Sequence, residues 1–368
     1  MHAVLRSLAT ANPDLYVPGE EAYRIMSSLF DLGIEEAELY RRLLLEGPIQ
    51  GRHIALDHIG QIVEQDQDEL VARYLRFGRS LAAQAGQRAL DAAECDARDI
   101  GALIVNTCTG YLCPGLTSYL VEDLGLNRNT RLVDIMGMGC GGAMPNLEAA
   151  VNHLARYPDQ PVLSIAVEIC SSTIFMDPDP GLVVSNCIFA DGAAAVVLAD
   201  SPTCRIRQGL LQFIDFESVI YPQHRNRLHY RTEQHKLRNV LDARVPMIAA
   251  KGVVEIVQRL LQRHSLTLDD IDHWAVHPGG KRILDKISAG LGFVNGTLEA
   301  SYDVLRKFGN MSSPSVLFVL NSVLASRNIQ GGQYGMLVSF GAGFSVFAAL
   351  IQFESRISAA LTPEKSFG

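Results

Sequence analysis

Two stretches of the chain run through the same order of elements, and this repetition restricts the fold more than any single segment does. In the first, a helical stretch over 69–93 precedes the short apolar run Ala102-Leu103-Ile104-Val105-Asn106-Thr107, closed by Cys108-Thr109-Gly110. Gly139-Cys140-Gly141 then opens a helix ahead of a strand from Pro161 to Glu168. In the second, a helix over 252–263 precedes Trp274-Ala275-Val276, closed by His277-Pro278-Gly279-Gly280. Gly309-Asn310-Met311-Ser312-Ser313 then opens a helix through Val316, Val319, Leu320 and Val323, ahead of Met336-Leu337-Val338. Apolar runs this short fit buried strands, and the longer periodic stretches fit helices. The expectation is an internal duplication with halves 1–200 and 201–368, joined near Asp200 to Cys204; two unrelated α/β halves with similar punctuation are the alternative. If the halves pack about a pseudo-twofold axis, the helix starts carrying Cys140 and Asn310 become equivalent and converge, with His277, on one pocket.

The remaining punctuation is read more coarsely. Glu20 to Leu45 reads as one helix ended by Gly47-Pro48, 117–124 as a short helix, and 132–135 and 193–198 as strands. At 368 residues the chain exceeds one ordinary core. With 48% hydrophobic and 20% charged residues it is no disordered chain. A formal net charge of -8 gives no general affinity for nucleic acid or an anionic membrane, so any phosphate site must be a local basic patch. The seven cysteines form no CxxC pair and have no metal-ligand spacing, so no metal is expected. An odd cysteine count in a long chain fits a reducing, cytoplasmic setting. No signal peptide is recognised at the N-terminus, and the longest uncharged run, Gly335 to Gln352, is broken near its centre, so no membrane span is expected.

The candidate chemistry centres on Cys140. Unpaired backbone N–H groups at a helix start favour thiolate over thiol, which makes a nucleophile, and the flanking glycines allow close approach of an acyl group. A buried structural cysteine in a turn is the alternative. Cys, His and Asn together supply what acyl transfer with decarboxylation requires. Cys140 would attack a thioester and hold the acyl group. His277, as imidazolium, would stabilise the thiolate and, with the Asn310 amide, donate hydrogen bonds to an oxygen that becomes an enolate. A helix N-cap is the competing role for Asn310, and a turn residue for His277.

These motifs carry a resemblance. Trp274 to Gly280, Gly309 to Ser313, Phe189-Ala190-Asp191-Gly192-Ala193-Ala194-Ala195 and the Cys140 turn make the sequence resemble the chalcone synthase-like type III polyketide synthases of the thiolase superfamily. The resemblance implies a duplicated thiolase-like fold of five layers, αβαβα, a homodimer, and Cys140, His277 and Asn310 as the catalytic triad. It further implies iterative decarboxylative condensation of malonyl-CoA onto an acyl-CoA starter, with CoA thioesters as substrates and no cofactor. By local matching, Phe189 corresponds to a gatekeeper between pocket and CoA tunnel, while Thr109, Cys170, Thr173 and Ser312 correspond to pocket residues. Cys113 corresponds to a residue reaching into the neighbouring subunit's pocket. Arg41, Arg42, Gly279, Gly280 and Arg282 correspond to the CoA tunnel and its phosphate-binding cations.

The sequence also departs from the family. Asn239 stands where a second gatekeeper phenylalanine belongs, Tyr230 replaces a small residue of the cavity wall, and the loop Ser339-Phe340-Gly341-Ala342-Gly343 lacks the family's proline. Cavity shape decides starter and chain length, so these changes point away from an aromatic starter and toward a pyrone, resorcinol or phloroglucinol-type product. Two other functions stay open at this point: an initiating β-ketoacyl synthase served by an acyl carrier protein, and a non-catalytic scaffold paralogue.

Overall fold

Strands that are buried on both faces need two sets of apolar side chains, and several strands of this protein's large sheet carry them. The computed structural model describes residues 3–200, 210–326 and 328–354. The first half comprises β1 (Ala3–Ala11), β2 (Tyr16–Pro18), α1 (Gly19–Leu29), α2 (Ile34–Leu45), β3 (Gly51–His53), α3 (Gln67–Ala92), β4 (Ala102–Thr107), α4 (Leu116–Asp123), β5 (Arg131–Met136), α5 (Ala143–Arg156), β6 (Val162–Ile169), α6 (Pro180–Ile188) and β7 (Asp191–Asp200). The second comprises β8 (Leu211–Ile220), β9 (Leu228–Glu233), β10 (Lys236–Leu241), α7 (Val245–Arg263), β11 (Ile271–Val276), α8 (Lys281–Leu291), α9 (Glu299–Phe308), α10 (Ser315–Leu324), β12 (Tyr334–Gly341) and β13 (Ser345–Phe353).

Nine strands run β11-β12-β13-β8-β1-β7-β6-β4-β5. From β4 through β6 and β7 to β1 the pairings are parallel, antiparallel and antiparallel. From β11 through β12 and β13 to β8 they are parallel, antiparallel and antiparallel again. The two sets stay hydrogen-bonded through the pairs Val4–Gln212 and Leu5–Leu211. Residue 200 ends β7, and 201–204, where the sequence places the join, lie outside the described residues.

One core fills the space between the two sets. Ala102, Ile104, Ala194, Val196 and Leu198 of the first set face Leu337, Ala349 and Ile351 of the second, with Leu147 of α5 and Val316 and Leu320 of α10 between them. The alternate residues point outward. Leu103, Val105, Leu163, Ile165, Ala195 and Val197 pack on the small-residue face of α3, Ala82, Ala85 and Ala89. Trp274, Val276, Met336 and Val338 pack on α7 and α8. The layers are therefore helix, strands, paired central helices, strands, helix: the expected αβαβα arrangement. Burying a large aliphatic side chain contributes about 1.5–3 kcal/mol, so the central layer is what fixes α5 and α10, and with them the turns that precede both helices. Among the described residues no helix is long and apolar enough to cross a membrane.

Two local expectations are corrected. The stretch 20–45 is not one helix: Phe30 is extended and caps α1, and Gly33 starts α2 after a break at 30–33. The helix after Gly309 starts only at Ser315, with Pro314 as its N-cap, so Asn310 is not a helix start.

Candidate active site

Cys140 lies in a 3-10 turn, Gly139–Gly141, and Gly142 is the N-cap of α5. The turn is pressed against the end of β12. A Cβ on Gly341 would sit 2.3 Å from the Met138 carbonyl oxygen and 2.5 Å from the Gly141 nitrogen, closer than real atoms approach. Gly139 adopts φ +57, and a Cβ there would lie 2.8 Å from the Ala342 nitrogen. Close packing of two backbones thus requires glycine at both positions.

From this turn a circuit of hydrogen bonds runs through all three predicted triad residues. Ser339 Oγ of β12 donates to the Cys140 carbonyl oxygen at 3.0 Å. One residue earlier, the Val338 carbonyl accepts the His277 N–H at 2.8 Å, where the chain leaves β11. Gly279 N–H donates to the His277 carbonyl at 2.9 Å, and the Gly279 carbonyl accepts from Asn310 Nδ2 at 3.3 Å. Asn310 Oδ1 accepts the Ser312 N–H at 2.8 Å, and Ser312 Oγ donates to Cys140 Sγ at 3.4 Å. Asn310 therefore occupies an Asx turn closed by Ser312, which has φ +60, and its backbone bridges to Phe189 and its neighbours: Ala190 N–H to Asn310 O at 2.9 Å and Asn310 N–H to Ile188 O at 2.8 Å. Buried Arg52 braces the same segment, with Nη1 donating to Asn186 O at 2.6 Å and Phe189 O at 2.8 Å.

The charge states differ from the sequence expectation. Burial pushes the Cys140 thiol up to about 12, against the Ser312 hydrogen bond, which lowers it. Burial pushes His277 down to about 3, and neither of its ring nitrogens has a hydrogen-bond partner among the described residues. Burial thus disfavours the charged form of each group and works against the expected thiolate–imidazolium pair, opposing the helix start.

Two cavities flank this site; Cys140 lines the inner one, and His277 and Asn310 line neither. An inner one of about 230 Å3 is lined by Cys140, Ser312, Phe189, Tyr230 and Asn239, together with Cys108, His229, Leu228, Ala342, Gly137 and Gly139. An outer one of about 980 Å3 includes Arg42, Arg244, Gly279, Gly280, Lys281 and Arg282. Neighbouring residues divide them: Ile188 faces outward and Phe189 inward, Val240 outward and Asn239 inward.

Residues 19–214 match the family described as FAE1/type III polyketide synthase-like protein, and residues 216–353 match the C-terminal domain of chalcone and stilbene synthases. The 3,5-dihydroxyphenylacetyl-CoA synthase of Streptomyces toyocaensis is 30% identical over 340 residues, 90% of this chain and 87% of that protein. The 1,3,6,8-tetrahydroxynaphthalene synthase of Streptomyces peucetius subsp. caesius is 30% identical over 341 residues, 93% of this chain and 90% of that one. The chain belongs to the type III polyketide synthase family. The crystal structure of 1,3,6,8-tetrahydroxynaphthalene synthase from Streptomyces coelicolor A3(2) superposes with a TM-score of 0.86 at 27% identity, covering 96% of this chain and 99% of that one. PKS-I from the brown alga Ectocarpus siliculosus gives 0.87 at 26%, covering 96% and 98%. Like these condensing enzymes, this type III polyketide synthase is an acyltransferase.

Not every residue predicted for the pocket of this polyketide synthase lines it. The Thr109 hydroxyl instead donates to Glu168 Oε2 at 2.9 Å and accepts the Ile169 N–H at 2.9 Å. Glu168 is fully buried and also accepts from Ser313 Oγ at 2.6 Å and Cys108 N–H at 2.9 Å, so it ties β4 and β6 to the turn before α10; burial raises its pKa against these bonds. Cys170 and Thr173 are buried outside the inner cavity, where the Thr173 hydroxyl donates to the Cys170 carbonyl at 2.8 Å and meets the Tyr230 hydroxyl at 3.2 Å. Cys113 is exposed. Arg41 does not reach the outer cavity either, being held on the solvent side by Glu38 at 2.8 Å and Glu46 at 2.9 Å. Arg42 and Arg282 enter no ion pair among the described residues, whereas Lys281 and Arg244 are paired to Asp285 and Asp242. Sequence reasoning missed Cys108 and His229. The signal available for Cys108 was its place at the end of a buried strand beside Thr109; none marked His229.

Proposed function

We propose that this polyketide synthase condenses malonyl-CoA iteratively onto an acyl-CoA starter, with Cys140, His277 and Asn310 as its catalytic residues. The observation that carries this reading is His277: a wholly buried imidazole with both nitrogens unpartnered is expensive unless a ligand oxygen completes it. In the proposed cycle Cys140 sulfur attacks the starter thioester, the sulfur–carbon bond to CoA breaks, and the thiol proton leaves with CoA through neutral His277. Malonyl-CoA then loses carbon dioxide, and the electron pair of the broken carbon–carbon bond becomes an enolate. Its oxygen takes hydrogen bonds from the His277 ring N–H and the second N–H of Asn310 Nδ2, which no protein group claims. The enolate carbon attacks the Cys140 thioester and expels the thiolate, which Ser312 Oγ–H is already placed to receive.

Arg42 and Arg282 are the proposed contacts for the CoA phosphates, with Gly279 and Gly280 along the passage. A homodimer is proposed through β5, an edge strand whose Leu132, Val133 and Met136 are exposed together with Tyr111, near exposed Cys113. The products proposed are pyrones, resorcinols or phloroglucinols, in keeping with the replacement of an aromatic gate by Asn239. The test is mass spectrometry of products from malonyl-CoA with a panel of acyl-CoA starters. Carbon-chain extension that disappears in Cys140→Ala supports the reading; extension only from a malonyl carrier protein, or extension that survives in Cys140→Ala, overturns it.

A further inference from the structure

The wall between the two cavities contains a side-chain amide whose polar end is fixed from behind. Asn239 lies on β10 opposite Tyr230 of β9, in a hairpin turned by Gln234 and His235 at φ +50 and +63. It is 7% exposed and lines the inner cavity with Cys140. Behind it, Ser185 of α6, itself 2% exposed, donates through Oγ to Asn239 Oδ1 at 2.8 Å. Ser185 Oγ also donates toward the Gly181 carbonyl at 3.0 Å, so its one proton is shared between that carbonyl and the shorter contact to Asn239 Oδ1. With Oδ1 held by Ser185, Nδ2 and its two hydrogens have no partner among the described residues. An amide donor that lines the cavity without a protein partner is suited to an acceptor on the cavity's occupant.

Resting on the polyketide reading above, we propose that Asn239 is a specificity-determining residue: its amide donates to a β-keto oxygen of the enzyme-bound chain, so that the inner cavity selects oxygenated intermediates over saturated acyl chains. A growing poly-β-keto chain carries an acceptor on every second carbon, and a fatty acyl chain of equal length carries none beyond its thioester. Phenylalanine at the same place would close the passage but hold no oxygen. Asn239 is thus a recognition group where the family has a gate.

The test compares binding of acetoacetyl-CoA and butanoyl-CoA, which share carbon number and differ at the β-carbon, to the full chain carrying Cys140→Ala, measured by calorimetry. One buried neutral hydrogen bond predicts roughly 5- to 10-fold tighter binding of acetoacetyl-CoA. Adding Asn239→Leu, of similar shape without the donor, is expected to abolish that preference, and Asn239→Asp to invert it, since a carboxylate repels a keto oxygen. Ser185→Ala, which leaves the cavity lining intact but frees the amide to rotate, is expected to cut the preference to about 2-fold. An undiminished preference in both Asn239→Leu and Ser185→Ala overturns the inference while leaving the polyketide reading standing. Failure of the Cys140→Ala protein to bind either thioester overturns both.

Discussion

Removing the two uncommitted cations of the outer cavity separates binding of the CoA nucleotide from chemistry at Cys140. The chain carries a net charge of -8 and so repels a polyphosphate at long range, which leaves local guanidinium groups to supply the attraction. Arg42 and Arg282 line the outer cavity and are unpaired among the described residues. Charge-assisted hydrogen bonds are worth about 1.5–3 kcal/mol when desolvated, and exposed ion pairs about 0.2–1. Both guanidiniums are solvent-exposed, so about 1 kcal/mol apiece is appropriate. Each alanine variant should then raise KM for malonyl-CoA about 5-fold, and the double variant about 25- to 30-fold, because the contacts are independent. A phosphate held equally in ground and transition states contributes nothing to kcat, which should stay within about twofold of wild type. The matching assay uses malonyl-pantetheine, which lacks the nucleotide: here the variants should behave as wild type. Lys281→Ala, removing a cation already paired with Asp285 at 2.8 Å, should have the smallest effect. An equal loss with malonyl-pantetheine, or a fall in kcat at unchanged KM, would refute the phosphate assignment and make these arginines structural.

Burial holds His277 near a pKa of about 3, below the 6.5 of the unfolded chain, so the unfolded state binds the extra proton first as pH falls. Stability should therefore decline from about pH 6.5 downward by about 1.4 kcal/mol per pH unit from this residue alone. Urea unfolding should show His277→Gln gaining about 2 kcal/mol relative to wild type between pH 6.5 and 5, and parallel pH curves would contradict this. In a Cys113→Ser background, alkylation of Cys140 by iodoacetamide should be about a thousandfold slower at pH 7 than for a thiol of pKa 9, and should climb tenfold per pH unit up to pH 10. A plateau at neutral pH would instead reveal a preformed thiolate. Gly341→Ala forces a methyl group against the Met138 carbonyl and the Gly141 nitrogen, so a loss of about 2–3 kcal/mol in thermal unfolding is expected, and an unchanged melting temperature would disprove the close approach.

What the sequence reveals of this molecule follows from which forces are local. The strands β4, β6 and β11 were legible because each carries a short run of buried apolar residues. In β1, Arg6 and Ser7 interrupt the run, yet both are buried: the Ser7 hydroxyl reaches the Ala89 carbonyl of α3 at 2.6 Å, a partner 82 residues away. In β8, Asp215 and Glu217 hide a strand because their partner Arg263 comes from α7. Thr109 has the chemistry of a pocket hydroxyl, and only the burial of Glu168 beside it, deep in an apolar strand, turns it away.

Cys140, His277 and Asn310, which the hydrogen-bond circuit links, were legible by residue type, whereas the burial that shifts the pKa values of the first two was not, for a reason that bears on how such a site would work. A helix start tells on a thiol only through nearby dipoles, whereas the burial of Cys140 is imposed by β12 and the loop after it, 200 residues downstream. Burial raises the thiol and lowers His277, so both shifts favour the neutral forms of the two groups. In the proposed cycle an arriving thioester oxygen would give His277 and Asn310 their acceptor, so negative charge would develop only where donors for it are already aligned. If Cys140 is the repeatedly acylated nucleophile proposed above, coupling charge separation to the presence of substrate would keep it from reacting with every passing electrophile.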